Sequence, residues 1–240
     1  MRFYLTETIF IENNIYYHEV DDIIKEVKEF NWHILLHDYG WNKLNKKWIV
    51  LLNKLSPHKK KNSTFGSLDC GGNGDCLFNC ISHAINNNYM NEYDSIMLRN
   101  DLSKSITEET FTNLIDIYQV LKYNGDFKEE WDPDTITLDG FKEILREGGN
   151  NYWGDFLILN LLKTFLNINF IILYSNDNIK KYYYYPLLYE YDKNINTIIL
   201  LYEDENHFKL VGHFLKNRMN FFFNHEGIPI EVLKLIQEIR

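Results

Sequence analysis

The stretch GSLDCGGNGDCLFNC, Gly66 to Cys80, gathers the residues best suited to chemistry. Gly71, Gly72 and Gly74 fall between Cys70 and Cys76, and the sequence turns apolar at Leu77-Phe78. Two chemistries use such a pattern. The first is a thiol nucleophile. Cysteine reacts as the thiolate, and a free thiol with a pKa of about 8.5 is mostly protonated at pH 7. A helix N-terminus turns its unpaired N–H groups outward and favours negative charge there. Cys76 falls at the first turn of a helix predicted by Leu77, Phe78, Ile81, Ala84 and Ile85 and ending in the run Asn86-Asn87-Asn88. The glycines before it allow backbone angles that aim amides at one point, where an oxyanion could be held. On these features alone, Cys76 as a small buried residue at a helix start remains an equal reading. Cys80 reads as core, beside Ile81, Ala84 and Ile85, and Cys70 as packed or bystander. The second chemistry is metal binding by Cys70, Cys76, Cys80 and His83. Structural zinc sites take four ligands, commonly in close pairs. The spacing C-x5-C-x3-C-x2-H does not follow that pattern, and no metal or cofactor is expected.

A cysteine nucleophile needs a base, and the chain has eight histidines. His207 opens HFKLVGHF directly after IILLYEDEN, which places it where a polar turn meets a strand. His213 ends the same strand. Six residues along an unbroken strand keeps the two on one side but about 20 Å apart, so only one can serve a given thiol. His225, in a polar turn, and His83, on the helix, have unremarkable structural readings.

The elements that must carry these residues follow from periodicity. Residues 1–10 look like a strand. From Val20, the spacing of Ile23, Ile24, Val27, Phe30 and Ile34 predicts a helix with Asp21 as its cap. WNKLNKKWIVLLNKL, from Trp41, predicts a second. Ser56 to Thr64, including the basic run His58–Lys61, reads as a solvated linker. Further helices are predicted near 93–105, 107–123 and 137–146. After the glycine-rich turn at Glu147 comes GDFLILNLLKTFLN, a helix with Asp155 in its first turn. INFIILYS, KYYYYPLL, NTIILLYE and HFKLVGHF read as strands, and GIPIEVLKLIQEIR as a closing helix with Pro229 near its start. The insert YNGDFKEEWDPDT, from Tyr123, reads as an acidic solvated loop. Helices first and strands later make an α+β arrangement. The expected division is a mainly helical N-terminal extension over 1–64, a central domain over 65–214, and a C-terminal segment over 215–240.

Composition sets outer bounds. The 240 residues suffice for one large domain with extensions, and 45% apolar with 25% charged residues is ordinary for a globular chain. A net charge of −9 argues against a nucleic-acid surface. Three cysteines crowded into one region are not a disulfide framework and favour a reducing compartment. MRFYLTETIF lacks the apolar core and cleavage site of a signal peptide. The apolar stretch Phe156–Tyr174 is broken by Asn160, Lys163, Asn167 and Asn169, so a helix followed by a strand is expected there, not a membrane span.

Four pieces, in order, resemble the ovarian-tumour (OTU) family of papain-like cysteine proteases. GNGDCLFNCISHAI resembles the family's D-G-N-C-L-F nucleophile motif and helix. MLRNDLSKSI is similar to the next helix, with its Leu-Arg pair. YWGDFLILNLLKTFLNINFIILY resembles the Trp-Gly helix and following strand. IILLYEDENHFKLVG resembles the final hairpin that presents the histidine. The resemblance covers about residues 65–214. It implies a papain-like OTU fold, a small mixed or antiparallel sheet packed between helical lobes. It implies Cys76 as nucleophile, His207 as general base, and Asn73 at the motif's leading acidic position. Trp153 and Gly154 are expected to be structural.

Two departures stand out. Relative to the motif, Asn73 and Asp75 look exchanged, and Lys209 stands two after the histidine, where the family often has Asp or Asn. Lysine cannot accept a hydrogen bond from imidazole. Asp69, Asn73 and Asn206 are candidates for the third group, with Asn73 favoured. The implied activity is hydrolysis of isopeptide bonds, with peptide bonds as a further substrate, at the C-terminal glycine of ubiquitin or a ubiquitin-like modifier through a Cys76 thioester. The implied partners are ubiquitin, polyubiquitin or such conjugates, with no nucleic acid and no membrane, and a monomer in the cytoplasm. That would be a host cytoplasm if the AT-rich composition and divergent motif reflect a large DNA virus. The alternative is a catalytically inactive OTU-like module that binds ubiquitin or another protein.

Overall fold

The computed structural model describes residues 2–57, 63–86, 93–176, 181–186 and 191–237. The basic run His58–Lys61 and the asparagines at 87 and 88 lie outside them. Contacts divide the chain into two compact units. One joins Met1–Cys70 to Asn169–Arg240, and the other is the continuous segment Gly71–Ile168. Helices α1 (Trp32–Leu35) and α2 (Lys46–Leu55) belong to the first unit. The second holds α3 (Cys76–Ile85), α4 (Ser95–Ser105), α5 (Glu108–Asn124), α6 (Leu138–Glu147) and α7 (Phe156–Leu166). Helix α8 (Ile230–Gln237) returns to the first. The chain is α+β, as expected.

The first unit opens with an antiparallel sheet of β1 (Phe3–Tyr4), β2 (Ile9–Glu12), β3 (Ile15–Val20) and β4 (Ile23–Glu26), in chain order. This corrects two expectations: the helix from Val20 and the mainly helical character of residues 1–64. The reason is local. Val20 pairs with Ile23 across a two-residue turn in which Asp21 and Asp22 both have positive φ, +49° and +64°. Positive φ at both central residues is the mirror-image turn whose twist suits a hairpin. Asp21, read as a helix cap, is instead the first corner of that turn.

The larger sheet of the first unit contains β5 (Trp41–Lys43), β6 (Phe65–Leu68), β7 (Ile168–Asn176), β8 (Lys181–Pro186), β9 (Asn196–Glu203) and β10 (His207–Leu215). Its order is β5-β6-β10-β9-β7-β8, with β11 (Arg218–Asn220) added to β10 and β12 (Phe222–Phe223) to β9. The helix expected from Trp41 therefore begins only at Lys46, where Asn45 Oδ1 caps it by accepting from Trp48 N at 3.0 Å. Trp48 and Leu52 of α2 and Val232 and Leu235 of α8 bury against Ile171, Leu173, Ile199, Leu201 and Val211. These strand positions alternate, as one face of a pleated sheet requires. On the other face, Gly212 leaves room for the Trp41 ring: a Cβ there would lie 2.6 Å from Trp41 Cη2.

The second unit is helical, and its helices start where the sequence puts them. Asp94, Thr107, Thr137 and Asp155 each accept a backbone N–H as N-caps. The acidic insert after Tyr123 is more than a solvated loop. Trp131 packs edge-on against Tyr118 at 5.1 Å and Phe127 at 4.9 Å, and Lys122 Nζ grips Asp132 at 2.6 Å and Asp134 at 2.5 Å.

Candidate active site

In the second unit Cys76 is the first residue of α3 and 6% exposed. The turn before it is tight: Asn73 and Gly74 both have positive φ, +59° and +87°, and Asp75 N donates to Gly72 O at 3.3 Å. Gly74 is obligatory on two counts. Its φ is costly for other residues, and a Cβ there would lie 1.8 Å from Gly149 O. Asn73 is exposed at the corner of this turn.

Asp75 is the N-cap of α3 but makes no capping bond. Its Oδ1 meets Arg99 Nη2 at 2.7 Å and accepts from Gly149 N at 3.1 Å. Arg99 is 1% exposed. Its guanidinium donates to Leu145 O at 3.2 Å, Gly74 O at 3.1 Å and Tyr152 O at 3.0 Å. It lies 3.8 Å from the centre of the Phe78 ring. Burial disfavours the charged guanidinium and lowers its pKa, while the Asp75 carboxylate works in the opposite direction.

The segment after α6 closes on this turn from outside. Gly148 has φ +67°, and a Cβ on it would lie 2.9 Å from Arg99 Nε. Gly154 lies against α3 itself, where a Cβ would come within 2.6 Å of Leu77 Cδ2. Tyr152, between them, is fully buried. Its hydroxyl is 2.5 Å from Tyr118 Oη, which donates to Asp155 Oδ2 at 2.8 Å. Trp153 is 43% exposed, so the buried aromatic of this segment is its neighbour Tyr152. Trp153 N donates to Glu129 Oε2 at 3.4 Å. Burial pushes Glu129 up to about 7 and raises Asp155, whose shift is opposed by the N–H groups it caps. Burial also pushes His83 down to about 4.

In the first unit His207 opens β10, directly opposite Glu203 of β9. Its Nε2 is 3.1 Å from Asp69 Oδ1. Asp69 follows the end of β6, and Leu68 of β6 pairs with Leu210 of β10. The sheet register therefore brings together two residues far apart in sequence. Of the three candidates for the group orienting His207, Asp69 is the one whose hydrogen bond to the ring is seen, although Asn73 was favoured. Lys209, two residues on, pairs with Glu203 at 2.6 Å. His213 is buried, 3.0 Å from Thr64 Oγ1 and 4.7 Å from the Phe65 ring, as a structural histidine. His225 Nδ1 meets Tyr191 Oη at 2.7 Å.

Sequence reasoning missed Arg99 as a site residue. The signal was the Leu98-Arg99 pair, to which the resemblance drew attention without a role. Among the described residues no group of three or more His, Cys, Asp or Glu is placed to hold a metal ion. No helix there is long and apolar enough to cross a membrane.

No family model matches the chain. No curated protein matches it. Among solved structures it is similar to an OTU deubiquitinase from Wolbachia pipientis wMel, with 15% identity and a TM-score of 0.41 over 77% of this chain and 100% of that one. It is also similar to an OTU domain in complex with ubiquitin, with 15% identity and a TM-score of 0.40 over 73% and 86% of the two chains. The OTU of Hazara virus bound to ubiquitin gives 15% identity and a TM-score of 0.36 over 61% and 80%.

Proposed function

We propose that the chain is a cysteine-type deubiquitinase that hydrolyses isopeptide bonds at the C-terminal glycine of ubiquitin or a ubiquitin-like modifier. The observation that carries this reading is the hydrogen bond between His207 Nε2 and Asp69 Oδ1. An ionised carboxylate only accepts, so the bond fixes the tautomer with the proton on Nε2 and makes Nδ1 the basic nitrogen. A histidine oriented in this way is the partner that a thiol at a helix start requires. The substrate class comes from the motif resemblance around Cys76 and His207.

His207 takes the thiol proton as Cys76 Sγ attacks the glycine carbonyl carbon, and the C–S bond forms. The carbonyl oxygen becomes an oxyanion held by main-chain amides of the turn ending at Cys76. The C–N bond breaks, and the lysine amine leaves with the proton from His207. Water, deprotonated by the same imidazole, hydrolyses the thioester and restores the thiol. Asp69 stabilises the imidazolium formed in each half.

A ubiquitin probe with a C-terminal electrophile tests the reading. Covalent capture by the wild-type chain, lost in Cys76→Ala and strongly slowed in His207→Ala, is expected. Binding of ubiquitin without capture would replace the enzyme with a non-catalytic module. Linkage-defined dimers would then define the substrate.

A further inference from the structure

We propose that Asp75 and Arg99 form a positioning pair that holds the peptide planes flanking Cys76 in the orientation acyl transfer needs. This rests on the reading of Cys76 as nucleophile. An aspartate at an N-cap ordinarily accepts from the first amides of its own helix. Asp75 does not. Its carboxylate turns away, to Arg99 Nη2 at 2.7 Å and Gly149 N at 3.1 Å. The amides at the start of α3 are thereby spared competition from that side chain, at the end of the helix where an oxyanion would gather donors.

Arg99 completes the arrangement. One buried guanidinium holds the carbonyl of residue 74, the carboxylate of residue 75 and the ring face of residue 78. These three points bracket residue 76. The same cation is also anchored by the carbonyl of Tyr152, through the same Nη2, and by that of Leu145, through Nη1. The turn is thus tied to helix α6 and to the segment before α7. Gly149, whose carbonyl would meet any side chain at position 74, closes the outer side. Neither side chain is assigned a part in bond making.

The test uses the full chain with Asp75→Ala, Asp75→Asn and Arg99→Lys. The first readout is hydrogen exchange by mass spectrometry, which needs no substrate. Exchange in peptides spanning residues 71–77 is expected to rise about tenfold in Asp75→Ala and Arg99→Lys, while exchange in β9 and β10 stays at the wild-type rate. Asp75→Asn keeps an acceptor oxygen for Gly149 N and should return most of the protection. The second readout is turnover of a fluorogenic ubiquitin C-terminal amide. The turnover number should fall about 100-fold in Asp75→Ala, KM should stay near the wild-type value, and Asp75→Asn should recover much of the loss. Unchanged exchange in the turn, or a parallel rise throughout the sheet, overturns the proposal. So does full turnover in Asp75→Ala. A wild-type chain inert toward ubiquitin substrates would overturn the reading of function instead, and the exchange data would then decide the positioning pair alone.

Discussion

At the level of single residues, the proposed roles that can be read in sequence are those announced by their immediate neighbours. Cys76 stands out because glycines precede it and an apolar helix follows. His207 stands out because a polar turn meets a strand. Asp69 was one candidate among three, and β6–β10 register is what brings it to the histidine. Arg99 could not be read. On α4 it is one polar residue among Asn100, Asp101 and Lys104, and its burial depends on carbonyls from residues 145 and 152. Two predictions belong here. Asp69→Ala should lower the turnover number about 100-fold through loss of a correctly held base, with Asp69→Asn less affected, read from initial rates on a ubiquitin C-terminal amide. Gly74→Ala should destabilise the fold by about 2 kcal/mol or more, since it combines unfavourable φ with a backbone collision. Urea unfolding would measure it.

At the level of elements, the helices of the second unit and the strands β7, β9 and β10 were legible, and in the N-terminal sheet the strand character of residues 1–10 was, while β3 and β4 were not. The helices of the second unit carry side-chain caps that the sequence displays. The hairpins lack the Asn-Gly signature of their turns. Asn13-Asn14, Asp21-Asp22 and Lys216-Asn217 all occupy the left-handed region, with no glycine among them. The β3–β4 turn can therefore be improved. Replacing Asp21-Asp22 by Asn-Gly should stabilise the protein by about 1 kcal/mol, measured by the shift in urea midpoint. The insert after α5 makes a different prediction. Glu129 has a folded pKa of about 7 against an ordinary value of 4.5, and Asp155 is raised as well. The folded state then keeps protons that the unfolded chain has released. This contribution is fully present below the unfolded value and is lost as pH rises through about 7. His83, held down at about 4, works in the opposite direction at the acid end, so the test is a comparison: between pH 5 and pH 8 the urea midpoint of the wild type should fall relative to that of Glu129→Gln, which shares the His83 contribution.

At the level of the whole molecule, the two units differ in how the chain builds them. The second is one continuous run, Gly71–Ile168, so its internal contacts, such as those of α4 with α3, α6 and α7, all close within that segment. The first closes only when β6 finds β10, about 140 residues further along. Local contacts form before distant ones because less chain entropy is lost in closing the loop. Pulse-labelled hydrogen exchange during refolding should show amides of α3 to α7 protected before those of β6 and β10. Simultaneous protection would count against this order.

The same connectivity bears on synthesis. Cys76 emerges from the ribosome well ahead of His207, and Asp69 waits for the histidine at the end of β6, which has β5 beside it but not yet β10. A polypeptide stalled or cut before β10 would, on the proposed mechanism, carry a thiol without its proton acceptor. On the proposed mechanism, premature hydrolysis by an unfinished product is precluded by the order of the strands.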